Sequence, residues 1–539
     1  MRVSAFLDVF GFIAVLLRAA VLVWGSLAIG GVFFWLLVAR GAPLANSARR
    51  LLVFSAFALA ATECLEVAAD SAILGSTAGL DLSAIAGANF FLWGTLGAAA
   101  AVVLGTLVSR ATNSAGRAIP CALVLLAAEV CTSHAAARVD NQLILIILTA
   151  IHQCATGAWI GGLPYLLLTL RDPQQADVTL QVARRFSRLS MVSVGLLFGA
   201  GIGLSIFYIG SPAAIYGTNY GLMVIAKVFL FGVVLSLGAM NFQVIKTLKR
   251  GDTSWILRLR RIGEAEIGIG ITVVLAAASL TSQPPGADLR ADRVSLATIA
   301  DRMQPKVPLM QTPPLSSLSP STRDEWKKAH PPGTSAYQAY IPGQFYEPSS
   351  PGDIAWSEYN HHWAGLVILV VGVLAVMARF RRFSWAKHWP LAFSGLAVFL
   401  LLRADPENWP LGPDGFWESF TAADVTQHRI FVLLILIFAV FEWGVQTGRL
   451  KSSKAALVFP GVCALGGALL LTHTHAIANV KEEVLAEMSH LPLALFAVIA
   501  GWARWLELRY PRPKNRFAAP VWPVCFALIG IVLLLYREA

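Results

Sequence analysis

Apolar runs of about twenty residues alternate with short polar loops along almost the whole chain of 539 residues. A helix of this length crosses the ~30 Å hydrocarbon core of a bilayer. The pattern predicts an all-α, polytopic membrane helical bundle with about fourteen transmembrane helices, arranged as eight and then six. The predicted spans are residues 12–38, 51–73, 86–109, 118–134, 142–170, 187–209, 220–245, 262–281, 361–378, 388–403, 428–446, 455–472, 488–506 and 519–536.

A long polar segment at residues 282–360 separates the two sets of spans. It is rich in proline, with the stretches PPGADLR, QTPPLSSLSP and AHPPGTS. Such a composition is typical of a linker and not of a packed helical domain. We therefore predict an eight-helix domain at 1–281, a proline-rich linker at 282–360 and a six-helix domain at 361–539.

Basic residues cluster in every second loop of this pattern. Arg49 and Arg50 follow the first span, Lys246 and Arg250 the seventh, and Arg516 the thirteenth. Basic loops face the cytoplasm, so both termini and the linker are predicted to be periplasmic, in a bacterial inner membrane. The net charge of +11 thus belongs to topogenic loops and not to a nucleic-acid surface. Only 14% of residues are charged, against about a quarter in soluble domains.

The ten histidines are distributed unevenly across the predicted topology. Only His388 falls at the cytoplasmic face, whereas interfacial histidines without a role would fall on both faces. Imidazole is a common ligand of transition metals and of b-type haem, so the bias predicts a metal or haem site facing the periplasm. The candidate ligands are His134, His152, His361, His362, His428, His473, His475 and His490.

Two local patterns refine this set. His473 and His475 lie about 200° apart on a helix, so they share one ion only if the helix ends near Leu471 and the backbone becomes extended. Glu487 precedes His490 by one helical turn and is a candidate for orienting its ring by a hydrogen bond.

Acidic residues inside the early spans form a second group of candidates. Glu63, Glu66 and Asp70 share one face of the second span, and buried membrane carboxylates are costly and usually functional. Pairing with Arg18 or Lys227 would instead make them structural. The other candidates for the transport path are Glu129, Cys131, Cys154, Glu264 and Glu266. Their order by depth suits an inward cation path and equally a proton relay.

Six stretches resemble, in the right order, the copper resistance protein D (CopD) family of bacterial inner-membrane proteins. They are RAAVLVWGSLAIGGVFF, SHAAA, IHQCATGAWIGGLPYLLL, RFSRLSMVSVGLLFGAGIGLS, YGTNYGLMVIAKVFLF and EAEIGIGITVVLAAASLTSQPPG, within residues 1 to about 286. The resemblance implies an eight-helix module that moves copper from periplasm to cytoplasm, beside a periplasmic CopC-type partner. It also implies that His134 and His152 handle the ion, and that Trp159, Gly161 and Gly162 are packing elements.

Three hypotheses follow for the function. The first is a copper transport and homeostasis protein, not an enzyme, that binds Cu(I) or Cu(II) at the periplasmic face. The second is a b-type cytochrome, with His428 paired to His473 or His490 as axial haem ligands, which could reduce copper. The third is a structural partner of a periplasmic protein. The sequence contains no GxxxxGK[ST] motif, which argues against ATP-driven pumping.

Overall fold

The computed structural model describes residues 3–110, 115–171, 176–246, 254–314, 317–318, 350–406, 408–412, 414–421, 423–471, 480–511 and 513–538. Every regular element in these ranges is helical, so the predicted all-α fold is confirmed. Twelve of the described helices are long and apolar enough to cross a membrane, and the protein is a multi-pass membrane protein.

The two remaining predicted spans coincide with shorter apolar helices, Ile119–Cys131 and Val458–Leu470, of 13 residues each. At 1.5 Å per residue such a helix rises only about 20 Å, less than the hydrocarbon core. The number of membrane crossings and the side on which the termini lie therefore stay predictions.

The described residues form two compact units. The N-terminal unit comprises Ile13–Ser211 and Lys227–Ala287, and the C-terminal unit comprises Asp288–Ala539 with Met1–Phe12 and Pro212–Ala226. The predicted division at 281 and 360 stays a prediction.

Nine helices contribute to the N-terminal unit, and two of them begin with residues, 3–12 and 219–226, that are grouped with the C-terminal unit. They are α1 (Val3–Phe33), α2 (Asn46–Thr77), α3 (Asn89–Ser109), α4 (Ile119–Cys131), α5 (Gln142–Thr156), α6 (Leu163–Thr169), α7 (Ala176–Ile209), α8 (Asn219–Lys246) and α9 (Ser254–Thr281). Helix α3 packs between α2 and α4, and α5 packs between α4 and α7. This order brings polar residues from α1, α2 and α4 into one region.

A π-helical turn, Gly157–Gly161, joins α5 to α6 and is the point of closest approach to α1. A Cβ at Gly161 would lie 1.8 Å from the carbonyl oxygen of Ser26, and one at Gly30 would lie 2.3 Å from the carbonyl carbon of Gly161. No side chain fits there, which confirms Gly161 as a packing element.

Six helices build the C-terminal unit. They are α10 (Pro351–Met377), α11 (Leu391–Arg403), α12 (Ala423–Gln446), α13 (Val458–Leu470), α14 (Val480–Arg509) and α15 (Val521–Leu534). Helix α10 runs along α15, α13 along α14, and α11 along α12. Trp389 lies at the centre of an aromatic core, 5.6–6.4 Å by ring centroids from five other aromatic side chains.

A buried ionic network supports one end of this second bundle. Arg504 donates to Glu442 at 3.1 Å and to Glu507 at 2.8 Å. Glu507 also accepts from Arg379 at 3.0 Å and from the indole of Trp522 at 2.7 Å. Hydrophobic patterning gave no indication of this network, because its members come from three helices and one connecting segment.

Candidate metal-handling sites

Four carboxylates gather around one guanidinium in the N-terminal unit. Arg18 of α1 lies 3.7 Å from Glu66 of α2 and also interacts electrostatically with Glu63, Asp70 and Glu129. Glu63 and Glu129 are 5% and 4% exposed. The predicted acidic face of α2 is therefore joined by Glu129 from α4, and one arginine faces four acidic groups.

Three glycines leave the space that the carboxylates of Glu63 and Glu129 occupy. A Cβ at Gly25 would lie 1.9 Å from Oε1 of Glu129, and Cβ atoms at Gly94 and Gly97 would lie 3.5 Å from the carboxylate oxygens of Glu63. Oε1 of Glu129 is buried and accepts no hydrogen bond from the residues that the structure describes. An unpartnered buried acceptor costs about 1–3 kcal/mol, so a cation, a proton or a water at this oxygen is favoured.

The predicted ligands on α5, His152 and Cys154, offer an imidazole and a thiol in place of carboxylates. Nδ1 of His152 is buried and has no hydrogen-bond partner within the described part of the chain, and the ammonium of Lys227 acts on this ring electrostatically. The positive charge of Lys227 opposes a second cation at His152. Cys154, two residues on, is half-buried.

His134 and Cys131 lie at the end of α4 and just beyond it. His134 begins the short helix His134–Ala137, and Cys131 is the last residue of α4. Both side chains are half-buried. His134 therefore lies in the connection from α4 to α5, three residues beyond the end of α4 and not at the last position of the predicted span 118–134.

Glu264 and Glu266, which the sequence pattern treats as one group, have different partners. Glu264 forms an ion pair with Arg261. Glu266 accepts from the indole of Trp159 at 2.9 Å and from the amide of Asn241 at 2.7 Å. The indole of Trp159 therefore has a polar role that its interpretation as a packing residue missed.

A cavity of about 330 Å³ opens beside Glu266. It is largely apolar, with Ser190 and Asn241 among its polar lining. Ser190 Oγ and Asn241 Oδ1 are both buried, and neither atom has a hydrogen-bond partner among the described residues. Asn241 was not a candidate from the sequence, although an amide inside the apolar stretch LSLGAMNF is a signal that could have found it.

In the C-terminal unit the structure brings together His361 of α10 and His490 of α14. Their ring centroids are 5.7 Å apart and the rings are nearly perpendicular. Tyr536 stacks on His361 at 3.8 Å and lies 5.8 Å from His490. Three rings from α10, α14 and the C-terminal segment thus form one cluster.

Backbone carbonyls fix the tautomers of both histidines. Nδ1 of His361 donates to the carbonyl of Ser357 at 2.9 Å, and Nδ1 of His490 donates to the carbonyl of Ala486 at 2.8 Å. A neutral imidazole with its proton on Nδ1 carries the lone pair on Nε2. Glu487, the predicted partner of the His490 ring, is buried one residue beyond Ala486, and its role in orienting that ring stays a prediction.

Glu538 supplies a negative charge to this cluster. Its carboxylate accepts hydrogen bonds from Tyr536, at 2.8 Å, and from Ser357. Burial alone would raise the pKa of Glu538, but the imidazole of His361 and these two hydrogen bonds outweigh it, and the pKa is lowered. Burial, together with the Glu538 charge, raises the pKa of Tyr536 well above its usual range. Neither residue was a candidate from the sequence.

Two other predicted histidines, His362 and His428, lie outside this ring cluster, although His428 interacts electrostatically with both His361 and His490. His362 uses both ring nitrogens: Nδ1 accepts from the amide of Leu309 at 2.7 Å, and Nε2 donates to the carbonyl of Tyr536 at 3.0 Å. His428 is 2.8 Å from Asp405. To bind a metal, His362 would have to give up a hydrogen bond.

Some predicted ligands lie beyond these observations. His473 and His475 lie outside the described residues, so the extended-backbone prediction for them is untested. Among the residues that the structure does describe, no group of three or more His, Cys, Asp or Glu side chains is close enough to hold a metal ion.

These features define a polytopic helical membrane protein with buried ionisable groups in both units. Residues 180–280 match the family described as Copper resistance protein D. The predicted CopD resemblance is thereby confirmed, over a shorter stretch than residues 1–286.

A curated relative gives a second comparison. The chain is 34% identical over 163 residues to the Copper transport protein CutJ of Bacillus subtilis (strain 168), which is 30% of this chain and 29% of the relative. The chain thus matches less than a third of the relative's length. No solved structure matches this chain.

Proposed function

We propose that this protein carries copper across a bacterial inner membrane, binding it at the periplasmic face and passing it toward the cytoplasm. The observation that carries the proposal is the CopD match at residues 180–280, together with 34% identity to a protein named as a copper transporter. The protein acts as a carrier and not as an enzyme, and a CopC-type periplasmic protein is its proposed copper donor.

The acidic cluster around Arg18 supports an entry station for the cation. Buried carboxylates raise the local negative potential, and an ion in a membrane must exchange its hydration shell for such groups. Glu63 and Glu129 are the least exposed of the four carboxylates, and no described residue donates a hydrogen bond to Oε1 of Glu129. The single positive charge of Arg18 does not balance four ionised carboxylates, which favours uptake of a further cation or of protons.

Glu266 supports a second station further along the chain. Trp159 and Asn241 hold its carboxylate at the edge of the 330 Å³ cavity. His152 lies on α5, the helix that continues through the π turn to Trp159. We propose that copper moves from the acidic cluster to Glu266 without binding at His152, because the positive charge of Lys227 opposes a cation at that ring.

A b-type cytochrome is the alternative, with His428 paired to His473 or His490 as axial haem ligands. The contacts of Tyr536 argue against a further arrangement, in which a haem lies between His361 and His490. A haem held by His361 and His490 would place its macrocycle beside both rings. Tyr536 lies against both imidazoles and fills part of that space. The proposed function therefore places no haem between His361 and His490.

Copper accumulation in cells tests the proposal. Cells that express the wild-type chain should accumulate more copper than cells with Glu63→Gln or Glu129→Gln, at equal amounts of membrane-inserted protein. Asp81→Asn is the matched control, because Asp81 is an exposed helix cap and asparagine caps equally well.

Two outcomes would contradict the proposal. Accumulation that is the same in wild-type and Glu129→Gln cells would remove the acidic cluster from the path. A Soret band with stoichiometric iron in the purified protein would instead support the cytochrome.

A further inference from the structure

We propose that His361 and His490 form a metal-binding site of the C-terminal unit, with Glu538 as its counter-charge, and that this site takes a divalent transition-metal ion, Cu²⁺ above others. The site goes beyond the transport function. It involves no residue of the proposed path in the N-terminal unit, and it is argued from its own geometry.

The spacing of the two rings suits one shared ion. Imidazole nitrogens bind such ions at about 2.0–2.1 Å, so two nitrogens on one ion lie at most about 4 Å apart and their ring centroids about 5–6 Å apart. The centroids of His361 and His490 are 5.7 Å apart. This separation of the rings lies within the range that one shared ion requires.

The hydrogen bonds prepare both rings for ligation. Metal-binding histidines almost always donate their other ring nitrogen to a carboxylate or a backbone carbonyl, which fixes the tautomer. His361 and His490 each do this to the carbonyl four residues earlier on the same helix. The adjacent His362 differs, because a backbone amide occupies its Nδ1 and its Nε2 donates.

The charge around the pair favours a cation. The Glu538 carboxylate interacts electrostatically with both imidazoles, and Ser357 and Tyr536 hold it in place. A buried cation is costly unless an opposite charge accompanies it. Tyr536, stacked on His361, fixes the plane of that ring.

The donor set selects the kind of metal. Two imidazole nitrogens suit copper, zinc and nickel, and for a given site of this type Cu²⁺ binds most tightly among the divalent ions. The remaining coordination positions are left to water. Thiolates, which would favour Cu(I), are not part of the cluster.

Copper titration of the purified full-length protein, stripped of metal by a chelator, tests the site. Wild-type protein should bind one more Cu²⁺ per chain than the double variant His361→Gln/His490→Gln, and its electron paramagnetic resonance spectrum should show coupling to imidazole nitrogen. Each single variant should bind one Cu²⁺ per chain fewer than wild type, as the double variant does. Glu538→Gln should weaken the affinity by about 10–100-fold and keep the stoichiometry.

His388→Gln is the matched control, since His388 is exposed and accepts from Trp443 at 3.0 Å. It should bind as much Cu²⁺ as wild type. Unchanged stoichiometry in the double variant, or the loss of separate equivalents in the two single variants, would overturn the proposal.

Two readouts keep the test independent of folding and of transport. If a variant does not elute as a folded protein, the wild-type spectrum still decides, because a spectrum without nitrogen coupling would overturn the site. Glu129→Gln should keep the Cu²⁺ equivalent even where it stops transport, so failure of one proposal is distinguishable from failure of the other.

Discussion

The Oε1 atom of Glu129 occupies the place where a side chain on Gly25 would begin, 1.9 Å from an ideal Cβ. Because position 25 on α1 is a glycine, the carboxylate of Glu129 on α4 can occupy this space. Because the obstructing atom is the end of a flexible side chain, a larger residue at position 25 moves the carboxylate without breaking the helix packing.

Gly25→Ala should therefore impair transport more than it impairs folding. The carboxylate must retreat from 1.9 Å to at least the 3.4 Å of an ordinary contact, which takes it out of its present position beside Arg18 and Glu63. We expect copper accumulation to fall toward that of Glu129→Gln. The control is Gly195→Ala, at which an added Cβ meets nothing within 4 Å. Equal accumulation in the two alanine variants would contradict this view of Gly25.

Gly161→Ala, unlike Gly25→Ala, should act mainly on the stability of the fold. The added Cβ would lie 1.8 Å from a backbone oxygen of Ser26, and a backbone cannot swing away as a side chain can. Overpacking of this kind costs about 1–3 kcal/mol or more. The apparent melting temperature in detergent should drop clearly below that of Gly199→Ala, whose added Cβ also meets nothing within 4 Å. A melting temperature equal to that control would show that α1 and the π turn can separate.

The sequence predicts helices and shared helical faces well, but not which faces meet. The face of Glu63, Glu66 and Asp70 follows from helical periodicity alone. The position of Glu129 beside this face depends on how α2, α3 and α4 pack, and no local sequence pattern specifies that packing.

The adjacent histidines at positions 361 and 362 show a second limit. They are chemically identical in the sequence, yet the tautomer and partners of His362 are set by the amide of Leu309 and the carbonyl of Tyr536. The partners of His361 include Glu538, which an unpatterned C-terminal segment supplies. The contacts of such a segment depend on tertiary structure, so pattern analysis could not find them.

Trp159→Phe tests the polar role of the indole beside Glu266. The change keeps an aromatic ring but removes the N–H that donates 2.9 Å to the carboxylate. A hydrogen bond contributes about 0.5–1.5 kcal/mol net, so this variant should be less stable by about that amount and should transport copper more slowly. The comparison is Trp502→Phe, because Nε1 of Trp502 has no hydrogen-bond partner. Equal losses of stability would show that ring volume, and not the hydrogen bond, is what matters.

Arg504→Met should destabilise the C-terminal unit strongly, because it leaves the buried carboxylates of Glu442 and Glu507 without their shared guanidinium. Breaking a buried ion pair from one side costs about 3–5 kcal/mol, whereas replacing both partners by apolar residues is often neutral. Glu442→Leu added to Arg504→Met should therefore recover part of the loss in detergent unfolding experiments. Glu442 is 1% exposed, so its ionised side chain has no route to solvent once Arg504 is gone. A double variant less stable than the single one would mean that Arg504 acts mainly through its contact with Glu507, which also binds Arg379 and Trp522.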